Sequence, residues 1–343
     1  MQNHSISPFT ILVFLGIAFL VVQCDSENGN SINFTGNRFE PEDGQALFIL
    51  GQSDYDYMRE YISEVRESPH PAGFAFYTSL SGLSIREDLP RYKDFMEEYP
   101  NTVLQLAIWT GERQWGEPGY YLDEILNGDY DHNIERLAFE CNNFGKPIFI
   151  RFGYEFDGAH NAYPPEKYKA AYRYFVDKMR EENVSNVAYV WHSWGVPAYY
   201  GSEDYPEHYP PLPDSVEVNQ ALWYPGDEYV DWTALSIFGT GWGDLSQYEP
   251  VQWFLEFSEE HDKPVMLAET AAIKTSGRRD PEWVIPNTHW FENVFDLVAE
   301  NDAVKAFTYI NVDWEERSSE STWGDTRIHE APGSVEAYWL ERI

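Results

Sequence analysis

Apolar positions along the chain follow two alternating rhythms. Short runs rich in β-branched and aromatic residues fall at 46–52, 72–78, 102–109, 147–152, 186–192, 231–238, 264–269 and 304–310. Near-continuous apolar runs of this length suit strands covered on both faces. Longer segments at 54–66, 86–98, 131–143, 251–261, 289–300 and 334–342 instead space their apolar residues three and four apart, which predicts amphipathic helices. The clearest helix follows the fourth run, where Tyr168, Ala171, Tyr172, Phe175 and Met179 share one side and Pro164-Pro165 stand at its start. Proline in the first turn forfeits no hydrogen bond, so the pair marks a rigid beginning. Only the Pro- and Tyr-rich stretch 195–228 breaks the rhythm. It is too long for a simple connector and is expected to border a cleft or ornament its rim.

Alternating β and α segments call for a parallel sheet with right-handed crossovers. Eight repeats fit an open doubly wound sheet or a closed (β/α)8 barrel, and the count together with a single-domain length favours the barrel. A dinucleotide fold would need a glycine fingerprint between a strand and a helix. The nearest string, Gly239-Thr240-Gly241-Trp242-Gly243, follows the sixth run and has the wrong spacing. The expected fold class is therefore α/β, a single TIM barrel over 43–343, after an acidic polar linker at 24–42 and a separate segment at 1–23.

That first segment holds an apolar run of 12 residues, 11–22, ending at Gln23-Cys24. Twelve residues are too few to cross a bilayer as a helix and match the apolar part of a secretory signal. The placement of Cys24, followed by Asp25-Ser26-Glu27-Asn28-Gly29-Asn30, resembles a bacterial lipoprotein signal with surface export. That resemblance implies lipidation at Cys24 and display on the outer membrane of a Gram-negative bacterium, with the lipid as the sole membrane contact. A plain secretory signal, giving a secreted or periplasmic protein, is the other reading.

Composition narrows the chemistry. With 23 Lys+Arg against 58 Asp+Glu the formal charge is −35, a field that repels nucleic acid and anionic membrane. Hydrophobic residues at 43% and aromatics at 17% exclude a disordered chain. Residues 1–23 carry no Asp, Glu, Lys or Arg, so the whole excess belongs to residues 24–343. Cys141, the other cysteine, sits in a helical pattern and reads as a buried small hydrophobe. No disulfide framework and no Cys/His metal spacing exist, so neither metal nor cofactor is expected. Asp54 and Asp56 could contribute to a calcium site, but acidic loops are usually just solvated, and no metal is expected there.

A barrel does its chemistry at the C-terminal ends of its strands. There the fourth run ends in R-F-G-Y-E-F-D-G, which carries Glu155, and the seventh ends in M-L-A-E-T, which carries Glu269. Two carboxylates reaching one mouth from opposite walls suit a retaining glycosidase, one as acid/base and one as nucleophile. Acidic rim loops are the plain alternative, but both residues directly follow runs that should be buried, where a carboxylate needs a partner or a purpose. Arg151, four residues before Glu155, is a candidate for that partner and for holding the neighbouring nucleophile ionised.

The segments K-P-I-F-I-R-F-G-Y-E-F-D-G-A-H-N-A-Y, Y-P-G-D-E-Y-V-D-W-T-A-L-S-I-F and K-P-V-M-L-A-E resemble glycoside hydrolase family 26 and its relatives in clan A, in the family's order, over roughly 45–340. The resemblance implies a (β/α)8 barrel, Glu155 as acid/base, Glu269 as nucleophile, and activity on a β-mannan, β-xylan or β-glucan. Three departures stand out. Tyr154 occupies the place of a histidine before the acid/base. Phe238 stands where the family has a tyrosine that hydrogen-bonds the nucleophile. The family's tryptophan-rich stretch after the acid/base is replaced by A-H-N-A-Y. These changes touch the pocket around the cleaved sugar and put mannan in doubt as the substrate.

Several further residues are candidates for sugar contact: Arg151, Tyr154, Trp109, His192, Trp194, Phe238 and Trp314. Clan members place an aromatic floor after the eighth strand, which Trp314 matches; an ordinary core tryptophan is the alternative. His192 and Trp194 either bind sugar or serve the core. Trp109 and Trp115 suit distal platforms, with Trp242 behind them. The enzyme readings are an endo-acting or an exo-acting glycosidase on a polysaccharide or oligosaccharide, working as a monomer. A non-catalytic glycan-binding lipoprotein on the same scaffold is the reading from another class.

Overall fold

The computed structural model describes residues 20–22, 32–52, 54–65, 70–80, 84–110, 120–158, 161, 163–195, 220–238, 245–273, 290–316 and 323–343. Eight strands lie parallel in chain order: β1 Gln45–Gly51, β2 Gly73–Ser79, β3 Val103–Trp109, β4 Ile148–Phe152, β5 Val187–Ser193, β6 Trp232–Ile237, β7 Val265–Thr270 and β8 Val304–Ile310. Pairing of β1 with β8, from Leu47 beside Ala306 to Gly51 beside Ile310, closes the sheet. Closure removes both edges, which an open sheet would have to protect. The short extended segment Leu20–Val22 also pairs in parallel with residues 45–47.

Around the barrel stand α1 Tyr55–Glu64, α2 Ser84–Glu97, α3 Tyr120–Leu126, α4 Asp131–Phe144, α5 Pro165–Glu181, α6 Glu249–Glu260, α7 Trp290–Glu300 and α8 Gly333–Arg342. The periodicity missed only α3 among these, since its 7 residues hold too few turns to show a period. Each strand sorts its residues between two cores by alternation. On β4, Ile150 and Phe152 face the helices, where Phe152 stacks on Phe175 of α5 at 4.4 Å. Phe149 points into the barrel with Leu47, Val103, Val190, Trp232 and Met266. Cys141 on α4 is fully buried in the outer core, as its pattern implied.

The barrel floor is plugged. Phe34 bridges to Pro41, which folds the intervening residues under the strands. Phe39 meets Phe149 edge-on at 5.9 Å. The Trp232 indole donates to the Arg38 carbonyl at 2.6 Å, and Asn37 donates to the Asp262 carbonyl at 3.1 Å. Residues 34–41 thus belong to the packed structure, although composition assigned them to the linker.

Candidate active site

β4 exhausts its apolar sequence at Phe152 and the chain turns sharply. Gly153 takes φ +55° and Glu155 φ +51°. A Cβ on Gly153 would also stand 3.0 Å from the Tyr168 ring, so both backbone and space require glycine there. Glu155 has no such licence, and its left-handed backbone is held by its surroundings. The Phe156 N–H donates to the His192 carbonyl at 3.2 Å, and the Gly158 N–H closes back on the Glu155 carbonyl at 2.9 Å. Asn161 donates to the carbonyls of Tyr154 and Glu155 at 2.7 and 3.0 Å. Asp157, also buried, accepts from the Ser193 hydroxyl and the Trp194 N–H at 2.6 Å each and from Gln220 at 3.2 Å. Burial pushes the Asp157 carboxyl upward, and these donors pull it back. The loop carrying Glu155 is thereby stapled to the end of β5.

Glu269 owes its direction to an irregularity. Leu235 on β6 pairs with Leu267 on β7, but the next residue, Ser236, pairs with Glu269. One extra residue on β7, Ala268, has been slipped in, and such a bulge lets neighbouring side chains share a face. Ala268 accordingly joins the inner core, while Glu269 reaches the interior groups Arg151 and Tyr77.

These groups form one network across the barrel throat. The Arg151 guanidinium, fully buried, donates from Nη1 to Glu269 Oε1 at 2.5 Å and to His192 Nδ1 at 3.1 Å. Tyr77 donates its hydroxyl to the same Oε1 at 2.5 Å. The rings of Tyr77 and Tyr154, 5.4 Å apart and edge-to-face, flank the guanidinium at 5.4 and 5.6 Å, which adds cation–π stabilisation to the charge. His192 Nε2 lies 3.0 Å from Ser236 Oγ, and Ser236 donates to Glu155 Oε1 at 2.6 Å. Arginine can only donate, so His192 Nδ1 accepts and the ring proton sits on Nε2. Burial pushes the Glu269 carboxyl upward, Arg151 pulls it down, and the charge of Glu155 pushes it up again. Burial disfavours the Arg151 charge, but Glu269 and Tyr77 outweigh that and hold it protonated.

The structure brings Glu155, Glu269, Arg151, Tyr154 and His192 together. Arg151, expected as a carboxylate partner that holds the nucleophile ionised, forms its ion pair with Glu269 across the barrel. Arg151 and His192 were candidates for sugar contact, yet both are fully buried beneath the carboxylates and engaged with protein groups. Half-buried Trp109 ends β3, and half-buried Trp194 follows β5 beside Asp157. Phe238 meets Trp323 at 5.4 Å, and Trp314, only 2% exposed, meets the same ring at 4.8 Å. Cys24, Trp115, Trp242 and most of 195–228 lie outside the described residues. Tyr77, Ser236 and Asp157 were missed. Tyr77 supplies Glu269 with the hydroxyl that Phe238 lacks, and alternation was the signal, since it stands two residues beyond inward-facing Ala75. Among the described residues no cluster of three or more His, Cys, Asp or Glu side chains is arranged to hold a metal.

No family model matches the chain. It is 28% identical over 330 residues to β-1,3-xylanase TXYA of a Vibrio species, covering 87% of this chain and 65% of that protein. A β-1,3-xylanase of an Alcaligenes species is 27% identical over 334 residues, covering 88% and 64%. The chain thus spans just under two thirds of the length of these curated relatives. A family 26 β-mannanase structure from Bacteroides ovatus matches with a TM-score of 0.55 at 16% identity, over 85% of this chain and 86% of that one. At that identity the likeness speaks for the fold, and the closed eight-stranded parallel barrel agrees with it. The chain is thus similar in sequence to β-1,3-xylanases and in its (β/α)8 barrel fold to a family 26 β-mannanase.

Proposed function

We propose that the chain is a retaining glycoside hydrolase that cleaves β-linked polysaccharide by double displacement, with Glu155 as acid/base and Glu269 as nucleophile. The observation that carries this reading is the throat network, in which Arg151, His192 and Ser236 join two carboxylates from opposite walls. Arg151 and Tyr77 engage Oε1 of Glu269, which leaves Oε2 for attack. In the first step that oxygen bonds to the anomeric carbon, the glycosidic C–O bond breaks, and Glu155 gives its proton to the departing oxygen. Water then bonds to the same carbon, Glu155 takes its proton, and the Glu269 ester breaks.

β-1,3-Xylan is the first substrate to test, because it is what both sequence relatives are named for. β-Mannan and β-glucan come next. Endo action, export with lipidation at Cys24, and a monomeric state complete the proposal. Glu155→Gln and Glu269→Gln should each lose nearly all turnover; for Glu155 the lost proton transfer alone is worth about 10²–10⁴-fold. Azide should rescue Glu269→Ala and give an α-glycosyl azide. A fully active Glu269→Ala would sink the nucleophile assignment.

A further inference from the structure

Ser236 and His192 line the barrel interior rather than its mouth, and nothing in the double displacement requires either. Both are buried, and both stand on strands whose neighbouring inward residues, Ala234 and Val190, are apolar. A buried serine and histidine cost stability unless they are paired. Their pairing has a direction. Arg151 donates to His192 Nδ1, so His192 donates from Nε2 to Ser236 Oγ, and Ser236 turns its own hydrogen to Glu155 Oε1 at 2.6 Å. Each bond polarises the next. The chain begins at a guanidinium whose charge is fixed by its ion pair with Glu269, 2.5 Å away.

We propose that Ser236, oriented by His192, is a positioning residue that decides which oxygen of Glu155 carries the acid proton. An oxygen already accepting a short hydrogen bond is the poorer base, so the proton belongs on Oε2. Oε1 stays fixed to the barrel wall. The proton that Oε2 gives to the leaving oxygen in the first step is regained at Oε2 from water in the second. Without the Ser236 hydroxyl the proton divides between two oxygens and the carboxyl loses its anchor. This inference rests on Glu155 being the acid/base.

Leaving-group dependence tests it. The probes are the 2,4-dinitrophenyl glycosides of β-1,3-xylobiose, β-1,4-mannobiose and a β-glucobiose, each paired with the matching unsubstituted tetrasaccharide. Dinitrophenolate departs without a proton; a sugar does not. Ser236→Ala should lower kcat/KM on the tetrasaccharide that the wild type cleaves by about 10- to 100-fold, a part of what general acid catalysis supplies. On the paired dinitrophenyl glycoside the loss should stay below about threefold. Ser236→Thr, which keeps the hydroxyl, should recover most of the tetrasaccharide rate. Turnover of the dinitrophenyl glycoside by Ser236→Ala doubles as proof of an intact fold. Equal losses on both probes, including a protein too damaged to use either while Ser236→Thr also fails, would overturn the positioning role and leave the glycosidase reading standing. A wild type inactive on every probe would overturn both.

Discussion

A guanidinium with no solvent around it must be compensated by protein. Arg151 finds that compensation in Glu269, in the His192 ring nitrogen and in two tyrosine faces. The arrangement sets the protonation of Glu269, because burial drives its carboxyl upward and Arg151 opposes the drive. In the proposed double displacement, attack requires the ionised carboxylate, and removing the cation raises its pKa further. Arg151→Met should therefore move the acid limb of the kcat/KM profile to higher pH, so that the loss is deepest under acidic conditions. A pH–rate profile with an unmoved acid limb would show that Arg151 does not tune Glu269. Glu155, Glu269 and Arg151 could all be picked from the sequence, because charged residues stand out at the ends of apolar runs. That Arg151 holds the nucleophile ionised was also readable, but its second partner, the His192 ring, was not, since spacing along one strand says nothing about the neighbouring wall. Tyr77 and Ser236 escaped for the opposite reason: tyrosine and serine are ordinary strand residues until inward alternation marks them.

Two local irregularities, each a few residues long, aim the carboxylates. The β7 bulge turns Glu269 inward, and the stapled loop after β4 holds Glu155 at a backbone angle it would not choose. Asp157 is the staple's centre, with hydrogen bonds from Ser193, Trp194 and Gln220. Asp157→Ala leaves those donors facing no acceptor, and a buried unpaired donor costs about 1–3 kcal/mol. Urea unfolding should show a loss of at least that size, and kcat/KM should fall because the Glu155 loop is released. Unchanged stability would mean that the loop is held by other contacts. The strands themselves were readable to within a residue or two, because runs such as P-I-F-I-R-F must be covered on both faces. Bulges were not, as M-L-A-E-T reads the same whether regular or bulged. Nor was α3, whose single repeat is too short to show a period.

The whole molecule carries a formal charge of −35, which should act on polymeric substrates by sign alone. A neutral glycan feels no such field, whereas a sulfated or uronic one is repelled until salt screens it. Between about 10 mM and 1 M NaCl the screening length falls from about 30 to 3 Å. Over that range kcat/KM should stay flat on a neutral β-glycan and rise on an anionic one. A fall on the anionic polymer would point to a local cationic binding track instead. Closure of the sheet was the one global inference that no single segment carried; it rested on the count of eight, and the β1–β8 pairing supplies it. The plug at 34–41 gives this closed body a front and a back. Ile32 packs on the inner core at the barrel's floor, the pole opposite the mouth. A leash fixed there, lipid or peptide, would act as a stalk: the enzyme could swivel about its rear with its mouth turned outward. Its reach would then be set by the leash and its chemistry by the barrel, each adjustable without the other.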